Sequence, residues 1–96
     1  MIRFDWDEKK HQINLFNPGL DFETAQLVFD DPTCLTFIER TSGGENRWHA
    51  IGSIEGLFMA VVVHTDCENG VVERVRIVSA RQATRRERTL YEEANS

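Results

Sequence analysis

The chain has 96 residues, of which 41% are hydrophobic and 28% charged, and its formal net charge is -5 at pH 7. This length predicts a single domain over residues 1–96, because it allows one compact core but not two, and the composition excludes a disordered chain. The acidic balance argues against a protein that binds nucleic acid through its overall charge, and the longest apolar run, residues 57–63, excludes a membrane-spanning helix of roughly 20 residues.

The first third of the chain predicts a short strand and two helices. Residues 2–6 are expected to form the strand, and either Asp5 or Asp7 can cap the helix that follows. That helix ends at Asn17-Pro18-Gly19, because proline cannot continue the hydrogen-bond ladder and glycine accepts a left-handed turn. Asp21 caps a second helix, which ends at residues 30–32. Its apolar stripe consists of Phe22, Ala25, Val28 and Phe29.

The middle of the chain predicts an antiparallel meander of strands. The four strands are expected at residues 34–38, 47–54, 57–63 and 71–79. Residues 41–46 are predicted to be a loop, while Glu55-Gly56 and residues 66–70 are predicted to be turns. In the last strand, alternation places Val71, Val75 and Ile77 on one face and Arg74 and Arg76 on the other.

The chain closes with a predicted helix from about Ala83. Thr84 and Glu87 have the spacing of a capping box, and the narrow seam of Ala83, Leu90 and Ala94 predicts that this helix is weakly buried. Two helices, a meander and a third helix indicate an α+β domain, with an antiparallel sheet and its helices grouped on one face.

Basic residues concentrate near the C-terminus. Residues 1–46 contain four lysines and arginines against nine acidic residues, whereas residues 74–88 contain six arginines and one acidic residue. One interpretation is a solvated, arginine-rich helix and strand edge. The other is a local phosphate-binding surface, since arginine makes bidentate contacts with phosphate.

The motifs of the chain, taken in order, resemble those of BrnT-type toxins. The first part carries Phe4-x-Trp6-Asp7, Lys10, Asn14, Gly19-x-x-Phe22-x-x-Ala25 and Val28-Phe29-Asp30-Asp31-Pro32. The middle carries Glu45-x-Arg47, Ile51-Gly52 and Val61-Val62-Val63-x-Thr65. The most specific motif is Arg76-Ile77-x-Ser79-Ala80-Arg81-x-Ala83-Thr84-x-x-Glu87-Arg88-x-x-Tyr91. The resemblance covers almost the whole chain.

The resemblance implies a RelE-like fold and a ribonuclease toxin of a type II toxin–antitoxin system, which inhibits translation. It further implies neutralisation by a cognate BrnA-like ribbon-helix-helix antitoxin, with operator DNA contacted only through that antitoxin. The N-terminus has no apolar signal core, and Cys34 and Cys67 form no disulfide framework. We therefore expect a cytoplasmic bacterial protein with no membrane association.

One motif departs from the family pattern. The family usually has Lys-His-Gly where this chain has Asn17-Pro18-Gly19. The departure supports an alternative in which the chain is a catalytically degenerate module that binds the antitoxin and acts as a co-repressor. A weaker alternative is a nucleic-acid-binding domain unrelated to toxins.

Cleavage of RNA without a metal needs a base for the 2′-hydroxyl, positive groups at the phosphate and an acid for the leaving oxygen. Arg76 and Arg81 are the first candidates for the phosphate role, and the competing interpretation is that each forms an ion pair with Glu87 or with an acid of the first helices. Four further arginines are expected to bind RNA, namely Arg47, Arg74, Arg85 and Arg88.

Three more side chains are candidates for acid–base chemistry. His64 could act as an acid or a base. The more common interpretation of a histidine at a strand end is a half-buried side chain without a catalytic role. Tyr91 could act as an acid or stack on a base, or it could pack in the core beside Leu90. Glu87 could act in catalysis, or only hold an arginine and cap its helix. No cluster of metal-ligating residues has the expected spacing, so neither a metal nor another cofactor is predicted.

Overall fold

The five strands found within the described residues form one sheet. The computed structural model describes residues 2–42, 45–69 and 72–96. Its elements are β1 (Ile2–Trp6), α1 (Glu8–Phe16), α2 (Phe22–Ala25) continued by a 3-10 helix (Gln26–Asp30), β2 (Leu35–Ser42), β3 (Glu45–Ile54), β4 (Phe58–Asn69), β5 (Val72–Gln82) and α3 (Arg85–Ala94). The strand order is β1-β5-β4-β3-β2, and all neighbours are antiparallel except β1 and β5. The predicted α+β class is confirmed.

The helices begin at the predicted capping residues. Asp7 accepts a hydrogen bond from the Lys9 amide at 2.8 Å, and Asp21 accepts one from the Glu23 amide at 2.8 Å. Asn17 is the C-cap of α1. Short polar side chains at these positions satisfy amides that the first helical turn leaves without a partner, which is why the sequence locates these helix ends so well.

The two long hairpins extend further than predicted. Residues 45 and 46 belong to β3 and pair with the end of β2, so most of the predicted 41–46 loop is strand. Residues 66–69 belong to β4 rather than to a turn, whereas Gly70 and Val71 lie outside the described residues. Polar segments remain in strands here because backbone hydrogen bonds, rather than apolar side chains, extend an antiparallel ladder. The predicted turn at Glu55-Gly56 is confirmed, with φ values of 52° and 73°.

The two faces of the sheet carry different helices. On one face α1, α2 and the 3-10 helix lie over a core that contains Phe22, Val28, Val62 and Ile77. We call this the helical face. On the opposite face Ile51, Val61 and Ala83 form a second cluster, against which Tyr91 of α3 packs.

The final helix therefore differs from the prediction in its position. It lies on the opposite face from the first two helices, so the helices are not grouped on one side. The predicted apolar seam of α3 is also wrong at Leu90, because this side chain is 40% exposed. Tyr91, one residue further on, packs on the sheet instead.

Asn14 joins α1 to β5. Its side-chain amide donates to the carbonyl oxygens of Leu20 and Ala80, both at 2.9 Å, and its carbonyl oxygen accepts from the Ala80 amide at 3.2 Å. The Leu20 amide also donates to the Ala80 carbonyl at 2.9 Å. These bonds fix the backbone of β5 immediately before Arg81.

Candidate functional site

Four arginines of the predicted site project from one face of the sheet. Arg81 pairs with Val61, which belongs to the second cluster. Arg76 and Arg74 alternate with the buried residues Ile77 and Val75, and Arg47 precedes Trp48, which pairs with His64. Because paired residues share a face and successive residues alternate, these four arginines lie opposite the helical face. We call the surface that carries Arg47, Arg74, Arg76 and Arg81 the arginine face.

A β-bulge in β5 brings Arg76 and Arg81 to this face together. Val63 pairs with Ser79 and the next residue, His64, pairs with Ile77, so Val78 is an extra residue without a partner in β4. Residues five positions apart in a regular strand point to opposite faces. The bulge reverses the alternation once, and both guanidinium groups therefore leave the same side of the sheet.

Small side chains lie between these arginines. Val63, Thr65 and Ser79 are on the arginine face by the same pairing. Thr65 is only 4% exposed, and its hydroxyl makes no hydrogen bond within the described part of the chain. Small side chains thus occupy the centre of the arginine face, and long cationic side chains surround them. We call this central area the floor of the arginine face.

Arg76 and Arg74 make weak, solvent-exposed ion pairs. Arg76 Nη1 lies 3.4 Å from Asp5 Oδ1, and Arg74 Nε lies 3.8 Å from Asp5 Oδ2. Both guanidinium groups are about half exposed, so these pairs contribute little to stability and are readily exchanged for another anion. The acid that partners Arg76 is in β1, rather than in one of the first helices.

Arg81 is held much more firmly, by Glu87 of α3. Its Nη1 and Nη2 donate to the two carboxylate oxygens at 2.7 and 2.8 Å. Glu87 also accepts from the Thr84 amide at 2.8 Å, and the Thr84 hydroxyl accepts from the Glu87 amide at 3.2 Å, which completes the predicted capping box. The hydrogen bonds from Arg81 are the main cause that lowers the pKa of Glu87 to about 2. Glu87 is therefore ionised at neutral pH and has no proton to donate.

The Glu87 carboxylate should make the stability of the fold depend on acid pH. Its pKa falls from 4.5 in the unfolded chain to about 2 in the folded protein, so the unfolded chain takes up the proton first, and stability present above pH 4.5 is lost as the pH falls toward 2. We expect the urea midpoint, followed by circular dichroism, to decrease across this window. Glu87→Gln should flatten the decrease without removing it, since Asp31 titrates in the same window. An equally steep decrease in the variant would contradict the assignment.

Tyr91 anchors α3 to the end of the 3-10 helix. Its hydroxyl donates to Asp31 Oδ2 at 2.6 Å and lies 2.6 Å from the Thr33 hydroxyl. Asp31 also accepts from the Ser53 amide at 2.8 Å. Burial alone would raise the pKa of Asp31, but the hydrogen bonds from Ser53, Tyr91 and Thr33 lower it to about 2. The bond to Asp31 raises the pKa of Tyr91, so its phenol is committed to this network.

The structure does not bring the other candidates to the arginine face. His64 pairs with Ile77 on the helical face, is 3% exposed and packs edge-on against Phe29. Arg85 and Arg88 are exposed on α3. Since Glu87 faces Arg81, a helical turn of about 100° per residue places Arg85 on the far side of α3 and Arg88 on its flank.

Sequence analysis missed three side chains near the site. Asn14 was noted only as part of a motif, and Asp31 only as a helix end, although Asp-Pro-Thr favours the turn in which Asp31 accepts from the Thr33 amide at 2.9 Å. His49 was assigned no role. It lies on the arginine face, and its Nε2 is 2.8 Å from Glu39 Oε2. No local signal marks that pair, because its members belong to different strands.

Comparison with known proteins agrees with the motifs. The family described as "Ribonuclease toxin, BrnT, of type II toxin-antitoxin system" has a model that matches residues 6–87. The crystal structure of the Brucella abortus ribonuclease toxin BrnT, at 1.1 Å resolution, superimposes with a TM-score of 0.63 and 26% identity, covering 88% of this chain and 100% of that one. A search of curated proteins finds no match. No helix in the described ranges is long and apolar enough to cross a membrane.

Proposed function

Because the chain belongs to the BrnT family of ribonuclease toxins from type II toxin–antitoxin systems, we propose that it is an endoribonuclease that cleaves RNA on the arginine face without a metal ion and so inhibits translation. The observation that carries this proposal is the placement of Arg76 and Arg81 on one face, on either side of the bulge, with small side chains between them. Such a surface can receive a phosphate and stabilise the negative charge that develops on it during cleavage.

The residues of the face take different parts in this proposal. Arg76 and Arg81 contact the scissile phosphate, while Arg47 and Arg74 bind neighbouring phosphates, with Arg88 at the rim. Glu87 is a positioning residue, since it holds the Arg81 guanidinium in a bidentate pair. Tyr91 positions α3 through Asp31. His64 has no part in cleavage, because it lies on the helical face.

The proposed partner is a ribbon-helix-helix antitoxin whose acidic segment covers the arginine face. A cationic patch on a chain of net charge -5 gives an acidic partner one favourable docking place and repels it elsewhere. The antitoxin would carry the contact with operator DNA, since the acidic remainder of this chain disfavours DNA. We place the complex in the bacterial cytoplasm.

The co-repressor alternative rests on Asn17-Pro18-Gly19. Asn17 ends α1, and the Gly19 amide donates to the Asn14 carbonyl at 2.6 Å. The departure from the family pattern thus lies beside the Asn14 network that fixes β5 before Arg81. In this alternative the fold and the antitoxin interface are kept, and cleavage is lost.

Expression of the chain by itself separates the two functions. We expect induction in a bacterial host to arrest growth, and co-expression of the adjacent open reading frame to relieve the arrest. The purified protein should cleave single-stranded RNA at the same rate with magnesium and with a chelator. Normal growth with soluble, folded protein and no cleavage would favour the co-repressor. Cleavage that stops in the chelator would contradict the metal-free mechanism only.

A further inference from the structure

We propose that His49, held by Glu39, is the catalytic group that takes the proton from the attacking 2′-hydroxyl. This inference rests on the proposed function and adds the base that the four arginines cannot supply. A guanidinium stabilises negative charge but stays protonated under all ordinary conditions. A proton acceptor on the same face is therefore required, and imidazole is the side chain best suited to exchange protons near neutral pH.

His49 lies in the row of the sheet that crosses the middle of the arginine face. It pairs with Val63 of β4, and Val63 pairs with Ser79 of β5. Two strand spacings of roughly 4.8 Å place Ser79 about 10 Å from His49 along this row. Arg76 and Arg81 flank Ser79 on either side. A phosphate resting on the floor at Val63 is thus within reach of an arginine from β5 and of the imidazole from β3.

Glu39 fixes the imidazole. Its Oε2 lies 2.8 Å from His49 Nε2, so Nε2 faces the carboxylate and Nδ1 is the ring nitrogen left for the 2′-hydroxyl, as in other carboxylate–imidazole pairs. The ring also packs against Phe37, with ring centroids 5.3 Å apart. The His49 side chain is 14% exposed and that of Glu39 is 46% exposed, so the imidazole is largely buried between its partners but still reaches the surface.

A second bulge, in β2, determines the position of Glu39. Ile38 pairs with Trp48 and Arg40 pairs with Arg47, so Glu39 is an extra residue in β2. Bulges re-aim side chains and are frequent beside active sites. The two bulges found within the described residues therefore affect the same face: one aligns Arg76 with Arg81, and the other brings Glu39 to His49.

The other two histidines of the chain are committed elsewhere. His64 lies on the helical face. His11 of α1 lies 3.1 Å from Glu8 through Nδ1, and its Nε2 accepts from the Phe22 amide at 3.3 Å. His49 is therefore the one histidine of the chain on the arginine face.

The proposed step conserves atoms and charge. The 2′-oxygen forms a bond to phosphorus as its proton moves to His49 Nδ1, and the bond from phosphorus to the 5′-oxygen breaks. The leaving 5′-oxygen takes a proton from solvent water. The products are a 2′,3′-cyclic phosphate and a 5′-hydroxyl, and His49 returns its proton to solvent.

The test measures cleavage and binding of the same single-stranded RNA separately. His49→Gln should cleave at least 100-fold more slowly than the wild type, in keeping with the 10²–10⁴-fold that general base catalysis typically contributes. It should bind the RNA within about threefold of the wild-type affinity, because the arginines are intact. His49→Ala should regain cleavage when imidazole is added, which a purely structural role would not allow. Glu39→Gln should give a partial loss, since the ring remains but its carboxylate partner does not.

The outcomes distinguish this inference from the function it rests on. Wild-type protein that cleaves RNA while His49→Gln cleaves equally fast would overturn the role of His49 and leave the ribonuclease intact. A loss of binding that matches the loss of cleavage, without rescue by imidazole, would also overturn it. Wild-type protein that cleaves no RNA would end both proposals together. Thermal melts of each variant establish that it is folded.

Discussion

Replacing both Arg76 and Arg81 with alanine should abolish growth arrest and lower the rate of RNA cleavage by roughly 10³-fold or more. Removing a single preorganised donor to a developing negative charge typically costs about 10²–10³ in rate. Both guanidinium groups face the same floor, so the double variant leaves no cation at its centre. RNA binding should fall less than cleavage, since Arg47 and Arg74 remain on the face.

The appropriate control is Arg86→Ala. Arg86 is exposed on α3 and has no assigned contact with RNA, yet its loss changes the net charge in the same direction. The Arg86→Ala variant should arrest growth as the wild type does. Because Arg81→Ala also leaves Glu87 without its bidentate partner, Arg76→Ala by itself should be compared by thermal melting. Retained toxicity in a folded double variant would overturn the assignment of the site.

Replacing Gly52 with valine should destabilise the protein more than any substitution on the arginine face. A Cβ atom at Gly52 would lie 2.9 Å from Val28 Cγ1 and 3.0 Å from the Val28 carbonyl oxygen. The 3-10 helix would have to move away from β3, and this would break the bond from the Ser53 amide to Asp31. Overpacking and the loss of this partly buried hydrogen bond together cost about 3 kcal/mol. The Tm should fall by roughly 15 °C.

Gly56→Ala provides the matched comparison for this prediction. Gly56 has a φ of +73°, and nothing lies within 4 Å of the position its Cβ would take. Alanine at this position destabilises the fold only through the unfavourable positive φ, by about 1 kcal/mol. Differential scanning calorimetry of the two variants separates packing from backbone strain. Equal melting temperatures for the Gly52→Val and Gly56→Ala proteins would show that the 3-10 helix and β3 pack less closely than the distances from Gly52 to Val28 indicate.

Local features of the structure were predictable from the sequence because their causes are local. Asp7, Asp21 and Thr84 cap the helices that follow them, since each side chain bonds an amide two or three residues away. The alternation expected in the predicted strand at residues 47–54 also agrees with the opposite faces of His49 and Ala50 in β3. The predictions were wrong where a feature depends on pairing with another strand. Residues 66–69 look like a turn in the sequence, yet backbone pairing with β5 extends β4 through them.

The sequence by itself determined the family, the arginine-rich C-terminal segment and the capped ends of the helices. It could not place Arg76 and Arg81 on one face, since alternation over five residues predicts opposite faces. Only the pairing of β5 with β4 reveals that Val78 is an extra residue and that the alternation reverses. In the same way, Glu39 and His49 belong to different strands, and a bulge in β2 brings them together. A strand's register depends on hydrogen bonds to its neighbours, and for that reason the geometry of the site was decided by the tertiary structure.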